Sequence, residues 1–236
     1  VVAARAGYHR AVSNVYGPPE PADIFARLRM SPGDAPLQAW KPGLGPWGRG
    51  PFVRPCAPGR PDAGLQVVVG QFALIGDQDT KPDNRPRMTN NARSEELEAK
   101  RTFRGPWARG QRCLVPVAWY DEPNYEAGPK CVWWRIRRAA AAAPDAPARI
   151  VMLAGLYNDW VDRATGEVHP SYTMLTVNAD HHALLSRMHK PGDEKRAVVP
   201  IDDALRDDWL HGPVASARAL LVLPPPDWYD AAPRPR

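Results

Sequence analysis

Cys113-Leu114-Val115-Pro116-Val117-Ala118-Trp119-Tyr120, followed after a polar connection by Cys131-Val132-Trp133-Trp134-Arg135-Ile136, is the stretch that decides the fold. Both runs are short, rich in β-branched and aromatic residues, and bounded by turn formers, so they read as strands placed to pair with each other. The connection, residues 121–129, then presents Glu122 at a strand end. Outward from this hairpin the pattern repeats. Residues 65–75 (LQVVVGQFALI) read as one bent strand or two short ones, because Gly70 interrupts a β-branched run. Residues 149–157, 171–177, 196–201 and 218–223 read as further strands, with a turn at Ala164-Thr165-Gly166. Short extended pieces are expected at 37–40 and 52–54.

Helices are few and short. Ile24, Phe25 and Leu28 recur at helical spacing within residues 21–30. A short helix is expected over 94–100, with Glu95 and Glu96 in the first turn where the macrodipole favours acids. Two more are expected over 180–188 and 202–210, each opened by an Asp cap. The alanine tract 139–146 is cut by Pro144 and reads as a variable loop.

Composition narrows the class. With 28 Pro and 18 Gly among 236 residues, a helical bundle is disfavoured and many irregular connections are expected. The formal charge of +5 suits a polyanionic partner. Three cysteines, Cys56, Cys113 and Cys131, form an odd set without CxxC spacing. That disfavours a disulfide framework or a structural zinc site and favours a reducing, cytoplasmic setting. No metal or organic cofactor is implied. No run approaches the roughly 18 apolar residues that a membrane-crossing helix needs, and residues 1–10 lack the apolar centre of a secretory signal. We expect one domain over residues 1–223, with its motifs concentrated in about 65–212, and a Pro-rich tail over 224–236.

Three residue types converge as a candidate site. The Asn90-Asn91 amides can donate to an oxygen carrying developing charge, Arg93 can grip a phosphate, and Glu122 can move a proton.

Several ordered strings carry a resemblance. These are Asn91-Ala92-Arg93-Ser94-Glu95 with Phe103 following, Arg112-Cys113-Leu114-Val115-Pro116 running on to Glu122, Ala154-Gly155-Leu156-Tyr157, residues 173–179, Arg187-Met188, and Trp209-Leu210. In this order they resemble the SOS-response-associated peptidases, also called SRAP or abasic-site-processing proteins. The resemblance implies an α+β fold: a single compact domain, mainly antiparallel β and barrel-like, with peripheral helices. It also implies single-stranded DNA containing abasic sites as partner, in a DNA damage (SOS) response; a monomer with no membrane partner is expected.

The chemistry implied is covalent. In the family an N-terminal cysteine condenses through its amine with the aldehyde of the ring-opened abasic sugar, and its thiol closes a thiazolidine. Peptidase-type self-processing and lyase-like activity accompany it. Asn91 then matches the active-site amide and Glu122 the catalytic carboxylate, although Asp121 and Pro123 depart from the usual aromatic-Glu-Trp flanks. The family's acid-base histidine falls at Leu185 here, which leaves His182 and His189 as candidates. His189 is preferred because it adjoins Arg187-Met188. Arg93 and Arg187 are the expected phosphate ligands. Tyr8, Trp40 and Trp47 are aromatic enough to stack on bases, while Trp133, Trp134, Trp160 and Trp209 read as core.

The nucleophile is open. Residues 1–10 contain no cysteine, so the expectations are a Met-Cys start upstream of Val1, an imine on the Val1 amine, or a member that lacks the nucleophile. The last makes the chain a non-catalytic single-stranded DNA-binding module. A cysteine peptidase built on Cys113 is disfavoured, because that thiol lies within an apolar strand.

Overall fold

The computed structural model describes residues 15–31, 39–140 and 149–235. The first half of the chain runs β1 (Val15–Gly17), α1 (Pro21–Leu28), β2 (Arg49–Pro55), β3 (Leu65–Phe72), β4 (Asn91–Arg93), α2 (Arg101–Ala108), β5 (Arg112–Val117) and β6 (Trp119–Asn124). The second half adds β7 (Val132–Arg138), β8 (Val151–Val161), β9 (Val168–Asn178), β10 (Arg196–Val198), α3 (Arg206–His211), α4 (Val214–Ala219) and β11 (Tyr229–Pro233).

Five of these strands close on themselves. In the order β9-β3-β2-β5-β8, with β8 returning to β9, they form a barrel that is antiparallel except where β3 lies parallel to β9. A second, four-stranded antiparallel sheet has the order β1-β6-β7-β11. The architecture is thus the mainly antiparallel, barrel-like α+β fold with peripheral helices that the resemblance implied.

Period-two alternation sorts the side chains into two cores. From β5 and β8, Cys113, Val115, Leu153 and Tyr157 enter one core, which also receives Tyr16, Tyr120, Ile136 and Tyr229 from the second sheet. Leu114, Met152, Ala154 and Leu156 enter the other, beneath Ile24, Phe103, Trp107, Trp209 and Ala217 of the helices. In the first core Tyr172 stacks near Phe72 and Phe52, with ring centres 5.4 and 5.3 Å away. Its hydroxyl meets that of Tyr16 at 2.5 Å, which satisfies two buried phenols at once. In the second core, the buried Arg112 guanidinium lies beside both the Trp107 and Trp209 rings, 5.9 and 5.8 Å from their centres, and donates to the Trp209 and Gly212 carbonyls. This ties α3 to the barrel.

Several expectations need correction. The run 113–120 is two strands, with Ala118 marking the change from barrel to second sheet, and Glu122 lies inside β6 rather than in a connection. Residues 94–100 supply one 3-10 turn, Ser94–Glu96. The regular helix is α2, which Gly105 and Pro106 hid from sequence reading but which buries Phe103 and Trp107. Over 180–188 there are turns and a 3-10 turn, Leu185–Arg187, instead of a helix. The expected strand over 218–223 is replaced by the end of α4 and an irregular connection. The stretch 224–236, read as a tail, supplies a 3-10 turn (Pro226–Trp228) and β11, which pairs with β7. The expected extended piece at 37–40 and the alanine tract lie largely outside the described residues, as does Tyr8. Among the described residues no helix is long and apolar enough to cross a membrane.

Gly155 sits where β8 passes between β5 and β9. A Cβ there would fall 2.7 Å from the Thr173 carbonyl oxygen and 2.9 Å from the Cys113 sulfur. The carbonyl belongs to a paired strand and cannot rotate away, so Gly155→Ala is expected to destabilise by about 1–3 kcal/mol. Urea denaturation checks this; an unchanged midpoint would mean that the barrel yields at this seam.

Candidate active site

Glu122 stands opposite Trp134, and Tyr120, two residues earlier, stands opposite Ile136. The shared parity turns Glu122 toward the first core, where it is only 2% exposed. A carboxylate this deep needs partners.

One partner is His189. Its Nε2 lies 3.4 Å from Glu122 Oε2 and 3.1 Å from the Arg196 carbonyl oxygen. Both neighbours are acceptors, so this nitrogen carries the proton. The chain reaches the position without a helix. The His182 Nδ1 accepts the N–H groups of Leu184 (3.2 Å) and Leu185 (3.1 Å), while its Nε2 donates to the Pro224 carbonyl (2.9 Å). A side chain that captures these N–H groups competes with helical bonding, and this explains the lost helix. Met188 then forms a bridge with Asn124, the His189 N–H donates to Pro123 O at 2.6 Å, and Asn124 donates to Arg187 O at 3.1 Å. His189 takes φ 64°, a left-handed conformation that costs a non-glycine residue roughly 1–2 kcal/mol. The local hydrogen bonds hold it there, and strain of this kind is characteristic of functional positions.

Arg187, on the same segment, is fixed from outside. Its Nε and Nη2 each donate to Glu126 at 2.8 Å, and its guanidinium lies 5.1 Å from the centre of the Trp134 ring. Arg93 leaves β4 and donates to Glu194 at 2.8 Å. Glu194 also accepts from Arg196 at 2.8 Å, and Arg196 binds both carboxylate oxygens of Glu95. A continuous chain of contacts therefore links Arg93 through Glu194 and Arg196 to His189 and Glu122.

Asn91 comes from the barrel side. It pairs in register with Met174 on β9, so its amide turns to the same core as Met174 and Glu122. Both amide atoms are buried and have no hydrogen-bond partner among the described residues. The structure thus joins Glu122 to His189 directly, links Arg93 and Arg187 to the same region through acidic partners, and turns Asn91 toward it. His182, the other candidate, braces the loop from behind.

Sequence reasoning missed Glu126 and Glu194. Nothing local predicts that they neutralise arginines 61 and 101 residues away. Trp40 and Trp47 donate to Pro19 O (2.9 Å) and Asn84 Oδ1 (3.1 Å). Trp209 and Trp160 are buried, whereas Trp133 and Trp134 are half-buried. Cys113 is fully buried, and burial pushes its thiol far up, which leaves it a poor nucleophile. Among the described residues no group of three or more His, Cys, Asp or Glu is placed to hold a metal ion. Two cavities, of about 370 and 350 Å³, lie elsewhere, around Met152 and Trp228 and around Lys81 and Arg85. Hydrogen-bonded chemistry, rather than cavity size, locates this site.

Residues 46–232 match the sequence profile of the SOS response associated peptidase (SRAP) family. Two vertebrate relatives named abasic site processing protein HMCES are similar in sequence. That of Xenopus tropicalis is 27% identical over 61% of this chain and 44% of its own, and that of Gallus gallus 24% identical over 55% and 41%. The matched stretch is thus less than half the length of these relatives. Among solved structures, a protein from Bordetella bronchiseptica superposes with a TM-score of 0.80 at 28% identity, covering 94% of this chain and 100% of that one. A protein from Bacteroides thetaiotaomicron superposes with a TM-score of 0.72 over 92% and 90%, and at 20% identity shows the common fold alone.

The clasp around Arg187 has a direct signature. Arg187 and then Asn124 hold the Glu126 carboxyl at about 2, below its ordinary 4.5. A depressed carboxyl contributes above its ordinary range, and that contribution is lost as pH falls through the folded value. NMR titration should give Glu126 a midpoint near 2 that returns to the ordinary range in Arg187→Ala. An ordinary midpoint in the unaltered protein would mean that the clasp is not held in solution.

Proposed function

The chain belongs to the SOS response associated peptidase (SRAP) family, and from that premise we propose that it processes abasic sites in single-stranded DNA by covalent capture of the sugar aldehyde. The observation that carries this reading is the buried Glu122–His189 pair, with 3.4 Å between carboxylate and imidazole. The name borne by the HMCES relatives supplies the substrate class.

Imine formation needs a group that both takes and returns a proton. The amine lone pair attacks the aldehyde carbon, a C–N bond forms, and the carbonyl oxygen takes a proton from the Glu122–His189 pair. The pair then receives the nitrogen's proton, and a second proton transfer lets the oxygen leave as water. Where the attacking amine belongs to a cysteine, its thiol adds to the imine carbon and closes a thiazolidine, as in the family. The same carboxylate is suited to activating water for self-processing at a terminal peptide bond. Asn91 would orient the reacting group through its amide. Arg93 and Arg187 would grip the phosphates on either side, each exchanging a carboxylate partner for a phosphate oxygen. The net charge of +5 favours such a partner.

A single-stranded oligonucleotide carrying one abasic site tests the proposal on a denaturing gel. A heat-stable adduct without reductant indicates a thiazolidine, and an adduct seen only after borohydride indicates an imine. No adduct, with binding that weakens as salt rises, would leave a DNA-binding module and sink the catalytic reading. Glu122→Gln and His189→Ala should each slow adduct formation by about 10²–10⁴-fold while DNA binding persists.

The arginine clasps predict opposite effects on affinity. Arg93→Ala and Arg187→Ala should each weaken binding and lower the slope of log affinity against log salt by about 0.7. Glu126→Gln and Glu194→Gln should tighten binding by releasing the guanidinium groups. Fluorescence anisotropy across a salt series reads both, and unchanged slopes would remove these arginines from the interface.

A further inference from the structure

Two phenols in the core beside Glu122 have no role so far. Tyr120 is 2% exposed and Tyr229 6%, and neither hydroxyl has a hydrogen-bond partner among the described residues. The buried phenols of Tyr16 and Tyr172, by contrast, satisfy each other at 2.5 Å. Register places both on the side of Glu122. Tyr120 precedes Glu122 by two residues on β6, and Tyr229 of β11 pairs with Arg138, two residues beyond Ile136 on β7. All enter the core that receives Ile136, Met174 and Met188.

Asn91 turns toward the same core from β4 with both amide atoms lacking a described partner. Three unpartnered polar side chains, from three strands of two sheets, thus face the core that contains Glu122. Burial, together with the nearby Tyr229 and Glu122, raises Tyr120 well above its ordinary value, and burial raises Tyr229 likewise. Both therefore stay neutral and able to donate. A neutral donor is the group that tolerates a buried carboxylate as neighbour, since a second acid would repel it and a lysine would neutralise it.

We propose that the Tyr120 and Tyr229 hydroxyls bind the oxygens of the captured sugar, donating hydrogen bonds to its hydroxyl and aldehyde oxygens while Glu122 and His189 handle protons. The ligand class is a polyhydroxylated, open-chain sugar aldehyde. This inference rests on the proposed function and extends it to substrate positioning.

Tyr120→Phe and Tyr229→Phe remove one oxygen each and leave the ring packing intact. If a hydroxyl has no protein partner, its loss leaves stability unchanged or raises it. If it binds substrate, the adduct rate at sub-saturating abasic DNA falls by about tenfold per hydroxyl, while affinity for the same strand with all bases intact stays constant. Adduct kinetics, anisotropy and thermal melting on the full chain read the three quantities. Wild-type rates in both variants would overturn the inference. A lowered melting temperature in either variant would show a partner within the folded chain and overturn it equally. An unaltered protein that forms no adduct at all sinks the proposed function and this inference together, whereas an adduct formed at equal rates by all three proteins sinks the inference alone.

Discussion

Hydrogen bonding along both edges of β9 is the constraint on which the rest of the molecule depends. On one edge β9 carries β8 and then β10; on the other it carries β3 and then β4. The β3 and β8 contacts close the barrel and define its interior. The β4 and β10 contacts, near the C-terminal end of β9, place Asn91, Arg93 and Arg196 around one strand end. A strand paired on both sides cannot slip by one residue without reversing every side chain it bears. The barrel thereby fixes which way Asn91 faces, and the second sheet fixes Glu122 by the same logic.

What the sequence made legible was local. The strands 65–75, 131–136, 149–157 and 171–177 announce themselves through β-branched and aromatic runs, and each holds a strand within a few residues of its expected limits. Glu122 was legible as a candidate because its flanking run fixes its place in the chain. The missing parts depend on partners distant in sequence. Helix α2 forms despite Gly105 and Pro106 because Phe103 and Trp107 gain burial beneath the helical layer. The loop 180–190 forfeits its helix because His182 captures local N–H groups and Pro224 anchors the ring. The arrangement that sets His189 against Glu122 is a bridge to β6 and a left-handed turn, neither of which has a local code.

The charge distribution adds a second theme. The chain is basic overall, yet Arg93, Arg187 and Arg196 are each held by a glutamate. The Arg93 and Arg187 pairs are exposed, and ion pairs of this sort contribute little to stability, whereas Arg196 is itself buried. They do set a threshold: an anion must displace a carboxylate that already occupies good geometry. Such pairing lowers the attraction of the face for arbitrary polyanions and leaves selection to groups that can replace both oxygens of a carboxylate, as a phosphate does.

The β11 strand has a consequence for the order in which the molecule becomes competent. Tyr229 packs edge-on against His182, whose ring reaches the Pro224 carbonyl and also braces the segment leading to His189. Every other strand and helix described precedes Pro224 and Tyr229 in the chain. During synthesis the barrel can assemble while residues 224–233 are still inside the ribosome, since domains fold as their residues emerge. The loop carrying His189 gains its brace only afterwards. A nascent chain would thus present a folded barrel before the segment that sets His189 against Glu122 has gained its brace.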